Sequence, residues 1–120
     1  MKNYADLAGV LTDKELASLG DAFINFVYSL ALSERKHQPS GAKVRGRTLA
    51  EAFRKSGLRG YMPSRVTRHM LADAAEALAV YGWLCHHVTL KECVAILARH
   101  KDLVEGMGRL LLTVKENIRF

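Results

Sequence analysis

The sequence predicts a single all-α domain over residues 1–120. Apolar residues recur at three- and four-residue steps in several segments, and two of these segments begin with a helix-capping pattern. No segment shows the sustained apolar and polar alternation of a β-strand. A chain of 120 residues with 49% apolar and 25% charged residues fits one hydrophobic core that needs no disulfides.

The first long helix begins near residue 12 and extends to about Leu32. Thr12-Asp13-Lys14-Glu15 has the form of a capping box, in which a threonine oxygen and a glutamate bind free amide groups at a helix start. Its predicted buried stripe consists of apolar residues at helical steps: Leu16, Leu19, Phe23, Phe26, Val27 and Leu30. We therefore predict that this is the central helix of the domain.

A mobile basic connection and four further helices are predicted after the first helix. Residues 33–47 combine charge with proline and glycine, which indicates the connection. Residues 48–56 form a short helix that ends at Gly57, a natural C-terminal cap. Apolar stripes at 66–81 and 103–114 predict two more helices, and a second capping box, Thr89-Leu90-Lys91-Glu92, begins the helix between them.

The positive charge of the chain is concentrated in one third of its length. Lysine and arginine number 18 against 12 aspartate and glutamate residues, a formal net charge of +6. Residues 34–68 hold ten of these cations and two acids, so the remainder of the chain is slightly acidic. This distribution favours a polyanion-binding surface over ordinary solvated helix faces. The candidate phosphate-binding residues are Lys43, Arg45, Arg47, Arg54, Lys55, Arg59, Arg65 and Arg68.

Three acidic residues lie inside strongly apolar helical segments. Asp21 falls within the first long helix, and Asp73 and Glu76 are three residues apart on the helix at 66–81, so they share one face. A desolvated carboxylate needs a partner, a proton or a metal ion, and carboxylates from two helices suit Mg²⁺ or Mn²⁺. Pairing of these acids with basic neighbours, such as Asp73 with His69 or Arg68, is the alternative.

Two motifs that contain these acids resemble those of the ribonuclease III endonuclease domain. Leu19-Gly20-Asp21-Ala22-Phe23-Ile24-Asn25 is similar to the family's signature helix, L-G-D-A followed by two apolar residues and asparagine. Asp73-Ala74-Ala75-Glu76-Ala77-Leu78 is similar to the family's second motif, D-x-x-E-A followed by apolar residues. The two occur in the expected order and separation, so the resemblance covers roughly residues 11–85.

This resemblance implies a helical bundle that forms homodimers and uses Mg²⁺ or Mn²⁺ to cleave double-stranded RNA, leaving 3′ overhangs. Carried over to this chain, Asp21, Asp73 and Glu76 are the catalytic and metal-binding acids, and Asn25 is a supporting polar residue. The basic residues named above would then bind RNA. We expect an endoribonuclease that acts on double-stranded or structured RNA in RNA processing or maturation, without a nucleotide cofactor.

The chain departs from the larger members of this family in two respects. Those members carry a glutamate one helical turn before the signature aspartate, where this chain has Ala17. Compact Mini-III ribonucleases also have a small residue there, so the chain resembles these or compact archaeal relatives. The second departure is that no double-stranded-RNA-binding domain is recognised, so this domain would hold the RNA itself. Ala17 favours one alternative, a degenerate member that binds structured RNA without cleaving it.

The cysteine content and the hydropathy of the chain indicate the cellular compartment of the protein. Cys85 and Cys93 are too few for a disulfide scaffold. No stretch reaches ~18 uninterrupted apolar residues, and the N-terminus lacks the apolar region of a signal peptide. We therefore expect a cytoplasmic protein without a membrane partner.

Three other functional patterns are weaker. Residues 41–48 approach a phosphate-binding P-loop, but Arg47 replaces the usual lysine and no apolar strand precedes it. Residues 49–70 resemble a helix-turn-helix, although Pro63 interrupts the position of a recognition helix. Cys85, His86, His87 and Cys93 would be a zinc site of unusual spacing.

Overall fold

A computed structural model describes residues 3–120, so the first two residues of the predicted domain lie outside the described part. Within these residues the chain forms helices and no strand, which confirms the all-α fold class. A short 3-10 turn, Arg59–Tyr61, joins the third and fourth helices. The α-helices are α1 (Leu7–Leu11), α2 (Lys14–Lys36), α3 (Gly46–Lys55), α4 (Arg68–Leu84), α5 (Leu90–Arg99) and α6 (Leu103–Asn117).

Helix α4 is the central helix, and the prediction that gave this place to α2 is wrong. Helices α1, α2, α3 and α6 all pack against α4. Eleven of its 17 residues are buried. Its inner segment, Ala74-Ala75-Glu76-Ala77, consists mostly of small residues. Because small side chains let neighbouring backbones approach from several directions, α4 can be surrounded by the other helices.

Helix α2 has one apolar side in the core and a second that faces outward. Leu16, Phe23 and Val27 are buried as predicted. Leu19 and Phe26, predicted to be buried with them, are 49% and 53% exposed. By length and composition α2 is apolar enough to cross a membrane, and 39% of its apolar window is buried within this fold, where α2 packs against α4 and α5.

The start of α2 differs from the predicted capping box. Asp13 is the N-terminal cap, and its carboxylate accepts hydrogen bonds from the amides of Glu15 and Leu16. Thr12 instead closes the unpredicted helix α1, and its hydroxyl donates to the carbonyl oxygen of Ala8. The capping box at α5 is confirmed in full, and Gly57, with a φ of 74°, lies in the left-handed region expected after α3.

The segment between α2 and α3 is anchored along α2, whereas the sequence predicted a mobile connection. Helix α2 continues one turn beyond its predicted end and closes at His37, which has a left-handed backbone. The chain then returns along α2, and amides of this returning segment donate hydrogen bonds to polar side chains of the helix. The core residue Val44 lies at its end.

Helices α2 and α4 cross in direct backbone contact at Gly20. A Cβ atom added to Gly20 would lie 2.1 Å from the carbonyl oxygen of Glu76 and 2.4 Å from its carbonyl carbon. No side chain fits at this crossing, because both atoms belong to the backbone of a central helix. The glycine therefore sets the distance between the two helices that carry the candidate acids.

Gly20→Ala is expected to destabilise the fold by about 3 kcal/mol, because the added methyl group forces α2 away from α4. The free energy of unfolding in urea measures the loss. Gly60→Ala is the matched control, since no atom lies within 4 Å of its added Cβ, and it should change stability by less than about 0.5 kcal/mol. Equal stability of the two variants would contradict the close crossing.

Candidate active site

A cleft of about 560 Å³ lies between α2, α4 and the segment that enters α3. Asp21 from α2 lines it together with Asp73 and Glu76 from α4. The three acids that the sequence singles out therefore share one cleft. Their catalytic role stays a prediction at this point.

The helix geometry explains the arrangement of the three acids. Asp73 and Glu76 are three residues apart and occupy one face of α4. Asp21 directly follows the crossing glycine of α2, which places it opposite Glu76. Glu76 is only 8% exposed, whereas Asp73 is half-buried and Asp21 is exposed. Glu76 is thus the deepest of the three acidic groups.

The environment of Glu76 favours its protonated form. Burial, a hydrogen bond with Asp21 and the negative charges of Asp21 and Asp73 together raise the pKa of Glu76 from 4.5 to about 8. The positive charge of Lys43 opposes this change but does not cancel it. At neutral pH Glu76 therefore keeps a proton unless additional positive charge enters the cleft.

Asn25 connects Asp21 to the segment that enters α3. Its side-chain amide donates to Oδ1 of Asp21 at 3.1 Å, and its Oδ1 accepts from the amide of Val44 at 2.8 Å. Both ends of the amide are used, so the two bonds fix its orientation. Asn25 thus links the Asp21 carboxylate to the backbone at Val44, and its supporting role in a reaction stays a prediction.

The cleft is also lined by three polar residues that were not predicted from the sequence to belong to the site: Lys14, Ser18 and His69. Lys14 and Ser18 lie on the same face of α2 as Asp21, at helical steps that would have indicated them. His69 Nε2 lies 3.5 Å from Asp73 Oδ2, one turn earlier on α4. The sequence offered pairing of Asp73 with His69 as the alternative to metal binding, and this pair is present in the structure. The His69 imidazole is strongly exposed.

The donor set in the cleft suits a hard divalent cation, although the side chains are not arranged around a common centre. Within residues 3–120 no group of three or more His, Cys, Asp or Glu residues is positioned to hold a metal ion as it stands. The three carboxylates nevertheless supply oxygen ligands of the kind that Mg²⁺ and Mn²⁺ prefer. Burial, the hydrogen bond with Asp21 and the nearby negative charges all raise the pKa of Glu76, and a cation in the cleft would offset the effect of these charges.

Ala17 lines the cleft, at the position where the resemblance implies an additional glutamate in larger proteins. It is buried and contributes only a methyl group. The cleft therefore holds three carboxylates, and the wall beside Ala17 carries the hydroxyl of Ser18 and the ammonium group of Lys14.

The basic residues predicted to bind RNA are distributed along α3 and its flanks. Lys43 lines the cleft itself, and Arg45 and Arg47 are exposed where α3 begins. Arg54 and Lys55 lie at the other end of α3, about 15 Å away by helix length. Arg65 and Arg68 are exposed before and at the start of α4.

Arg59 and Lys55 have partners within the chain. The Arg59 guanidinium donates to the carbonyl oxygens of Pro63 and Ser64 at 3.0 and 2.9 Å, so it holds the loop before α4. Lys55 pairs with Glu51 at 3.3 Å, but its side chain is 65% exposed. Arg59 is therefore held as a structural residue, and the other basic residues named above remain the candidates for phosphate contact.

The weaker sequence patterns do not assemble into sites in residues 3–120. The segment that resembles a P-loop is an anchored connection with no strand before it. In the segment that resembles a helix-turn-helix, residues 49–70, only the 3-10 turn Arg59–Tyr61 and a loop lie around Pro63, where the recognition helix would be. Cys93 is a core residue, and burial raises the pKa of its thiol to about 12, so it is a poor zinc ligand here.

Comparison with known protein families gives a match over most of the chain. The model of the family described as Ribonuclease III matches residues 14–115, which includes the cleft, helices α2 to α5 and all but the last two residues of α6. No curated protein matches the chain.

Stability of the metal-free protein should fall as pH rises from about 4.5 to about 8, because the folded chain then holds a proton on Glu76 that the unfolded chain has released. Glu76→Gln removes this dependence. Between about pH 5 and pH 8.5 the wild type should lose about 1–2 kcal/mol relative to Glu76→Gln, less than full linkage because the cleft is open to water. Urea unfolding in EDTA measures this difference. The same pH dependence in both proteins would contradict the assignment.

Proposed function

Because the chain belongs to the ribonuclease III family, we propose that it is a divalent-metal-dependent endoribonuclease that acts on double-stranded or structured RNA in RNA processing or maturation. The observation that carries this proposal is the meeting of Asp21, Asp73 and Glu76 in one cleft. Glu76 is buried there against two other acids and lacks enough positive charge to ionise at neutral pH. An acidic cleft inside a basic protein needs a cation before it can accept a phosphodiester.

The three carboxylates would hold Mg²⁺ or Mn²⁺. When bound, a divalent cation would supply positive charge at the phosphate and activate water for hydrolysis. Glu76 would then release its proton, because the positive charge would oppose the effects of burial and of the neighbouring acids that raise the pKa of this group. Asn25 holds the Asp21 carboxylate through Oδ1 during this change.

The side chains around the acids would position the RNA backbone. Lys43 brings an ammonium group to the edge of the acidic cleft, and Lys14 lines the wall formed by α2. Arg45 and Arg47 extend the positive surface along the start of α3. Contacts of this kind read the backbone and not the bases, which suits a substrate recognised by its helical shape.

A homodimer is part of the proposal, because α2 carries an apolar surface on its outer side. Leu19 and Phe26 lie on this side, and the ring of the buried Phe23 between them stacks on Trp83 at 5.2 Å. Leu19, Phe26 and Trp83 are 49%, 53% and 39% exposed. Large apolar side chains exposed together in this way mark an interface. Pairing through this surface would place two acidic clefts in one particle for the two strands of a duplex.

A second function is favoured by Ala17. Because Ala17 replaces a fourth carboxylate, the cleft has less negative charge than that of the larger relatives. A less negative cleft is expected in a protein that binds structured RNA without cleaving it. Such a protein would gain nothing from three acids beside the phosphates, since each repels the ligand. The enzyme is therefore the better account, and turnover distinguishes the two functions.

Purified protein should cleave duplex RNA in Mg²⁺ or Mn²⁺ and should lose this activity in EDTA. Asp73→Asn and Glu76→Gln should each lower the cleavage rate by about 10²-fold or more, because each removes a ligand that holds the charge at the phosphate. Glu105→Gln, the same change at an exposed acid of α6, should retain the wild-type rate. RNA binding without cleavage would support the second function, and cleavage that survives both substitutions would refute the site.

Phe26→Asp should convert the dimer to a monomer, because it introduces a charge into the exposed apolar surface of α2. Light scattering after gel filtration should show a mass near 13.4 kDa for the variant and about twice that for the wild type. Ala8→Asp introduces the same charge at an exposed position of α1 and should leave the dimer intact. A wild type that is monomeric at high concentration would contradict the dimer.

A further inference from the structure

Three polar side chains of α2 hold the returning segment in a regular ladder of hydrogen bonds. Ser33 Oγ accepts from the amide of Ser40 at 2.9 Å, and Ser29 Oγ accepts from the amide of Ala42 at 2.9 Å. Asn25 completes the ladder at Val44, as described above. We call residues 40–44 the strap. Each of these hydrogen-bonded pairs is one rung of the ladder. The bonding residues are four apart along α2 and two apart along the strap, and the two segments run in opposite directions.

The spacing of the ladder follows from backbone geometry. Four residues of α-helix rise about 6.0 Å, and two residues of extended chain span about 6.6 Å, so an extended strap stays in register with α2 over all three rungs. The serine hydroxyls are also donors. Ser29 Oγ donates to the carbonyl oxygen of Ala42 at 3.1 Å. Ser33 Oγ has two possible acceptors, the carbonyl oxygen of Ser40 at 3.2 Å and the carbonyl oxygen of Ser29 at 2.8 Å. The serines thus satisfy strap groups that would otherwise need water.

The ladder anchors the residues on both sides of Lys43, because Ala42 and Val44 each donate an amide hydrogen bond to α2. Val44 is buried where it borders the cleft, and Lys43 is exposed and lines the same cleft. The positive charge of Lys43 acts on Glu76 there. A strap that slipped or detached would therefore move this ammonium group relative to the acids.

We propose that Ser29 and Ser33 are positioning residues that act through Lys43, so that the ladder holds its ammonium group where the reacting phosphate must lie. This inference rests on the proposed nuclease function and assigns roles to two residues outside the acidic motifs. Ser33 is the more distant of the two, and neither serine lines the cleft. Their influence on the reaction therefore requires the strap.

Kinetics of combined variants test this role. Ser29→Ala with Ser33→Ala should lower kcat on the order of 10-fold and leave KM within about 2-fold, because a misplaced ammonium group loses its effect on the transition state. Lys43→Ala should lower kcat further. Adding the two serine substitutions to Lys43→Ala should then cause no additional loss, since the group that the ladder positions is already absent.

A second variant and a control separate positioning from loss of folding. Ala42→Pro removes the amide that Ser29 accepts from, without changing either serine, and should reproduce the kinetic effect. Ser56→Ala removes another half-buried hydroxyl that bonds to a backbone carbonyl, and it should leave kcat unchanged. Hydrogen exchange of the Ser40 and Ala42 amides should accelerate on the order of 10-fold or more in the serine double variant, while α4 amides stay protected.

The outcomes distinguish this inference from the function on which it rests. Serine losses that add fully to that of Lys43→Ala, or losses confined to KM, would overturn the positioning role while Asp73→Asn and Glu76→Gln still abolish cleavage. Unchanged exchange of the Ser40 and Ala42 amides would overturn the ladder itself. A wild-type chain that does not cleave RNA would overturn both proposals.

Discussion

The backbone contact between α2 and α4 at Gly20 is the constraint from which the site follows. A glycine lets the two helices meet without an intervening side chain, and the next residue, Asp21, consequently faces Glu76. The alanines around Glu76 serve the same purpose on the other helix, because they leave room for neighbours that bury the carboxyl group. Close packing of apolar helices thus creates an acidic pair that neither helix would form alone.

This packing couples the fold to the chemistry of the cleft. Burial of Glu76 beside two acids opposes its ionisation, so the folded chain retains a proton that a divalent cation would replace. The same helix that presents Asp21 also presents Asn25 and the two serines of the strap ladder, and through the strap it positions Lys43. One face of α2 therefore organises both the negative and the positive groups, while another carries the exposed apolar surface.

The acids were predictable because their signal is local, whereas several other features depend on tertiary packing. A three-residue step places Asp73 and Glu76 on one face in any α-helix. Periodicity could not separate the exposed Phe26 from the buried Phe23, because an interface and a core require the same residues. Helix α1 has only five residues, too few for a periodic pattern, so Thr12 was predicted to cap the wrong helix. Asn25, Ser29 and Ser33 recur at four-residue steps in an apolar helix, and this spacing could have predicted a segment bound along α2.

The proposed nuclease site requires three carboxylates that share a cation, and a crystal of the protein grown in Mn²⁺ tests this requirement most directly. Anomalous scattering should show manganese in the cleft, with oxygen atoms of Asp21, Asp73 and Glu76 about 2.0–2.6 Å away or joined to it through water. Manganese bound elsewhere on the protein, with the Glu76 carboxyl group still hydrogen-bonded to Asp21 in a cleft without metal, would contradict the account.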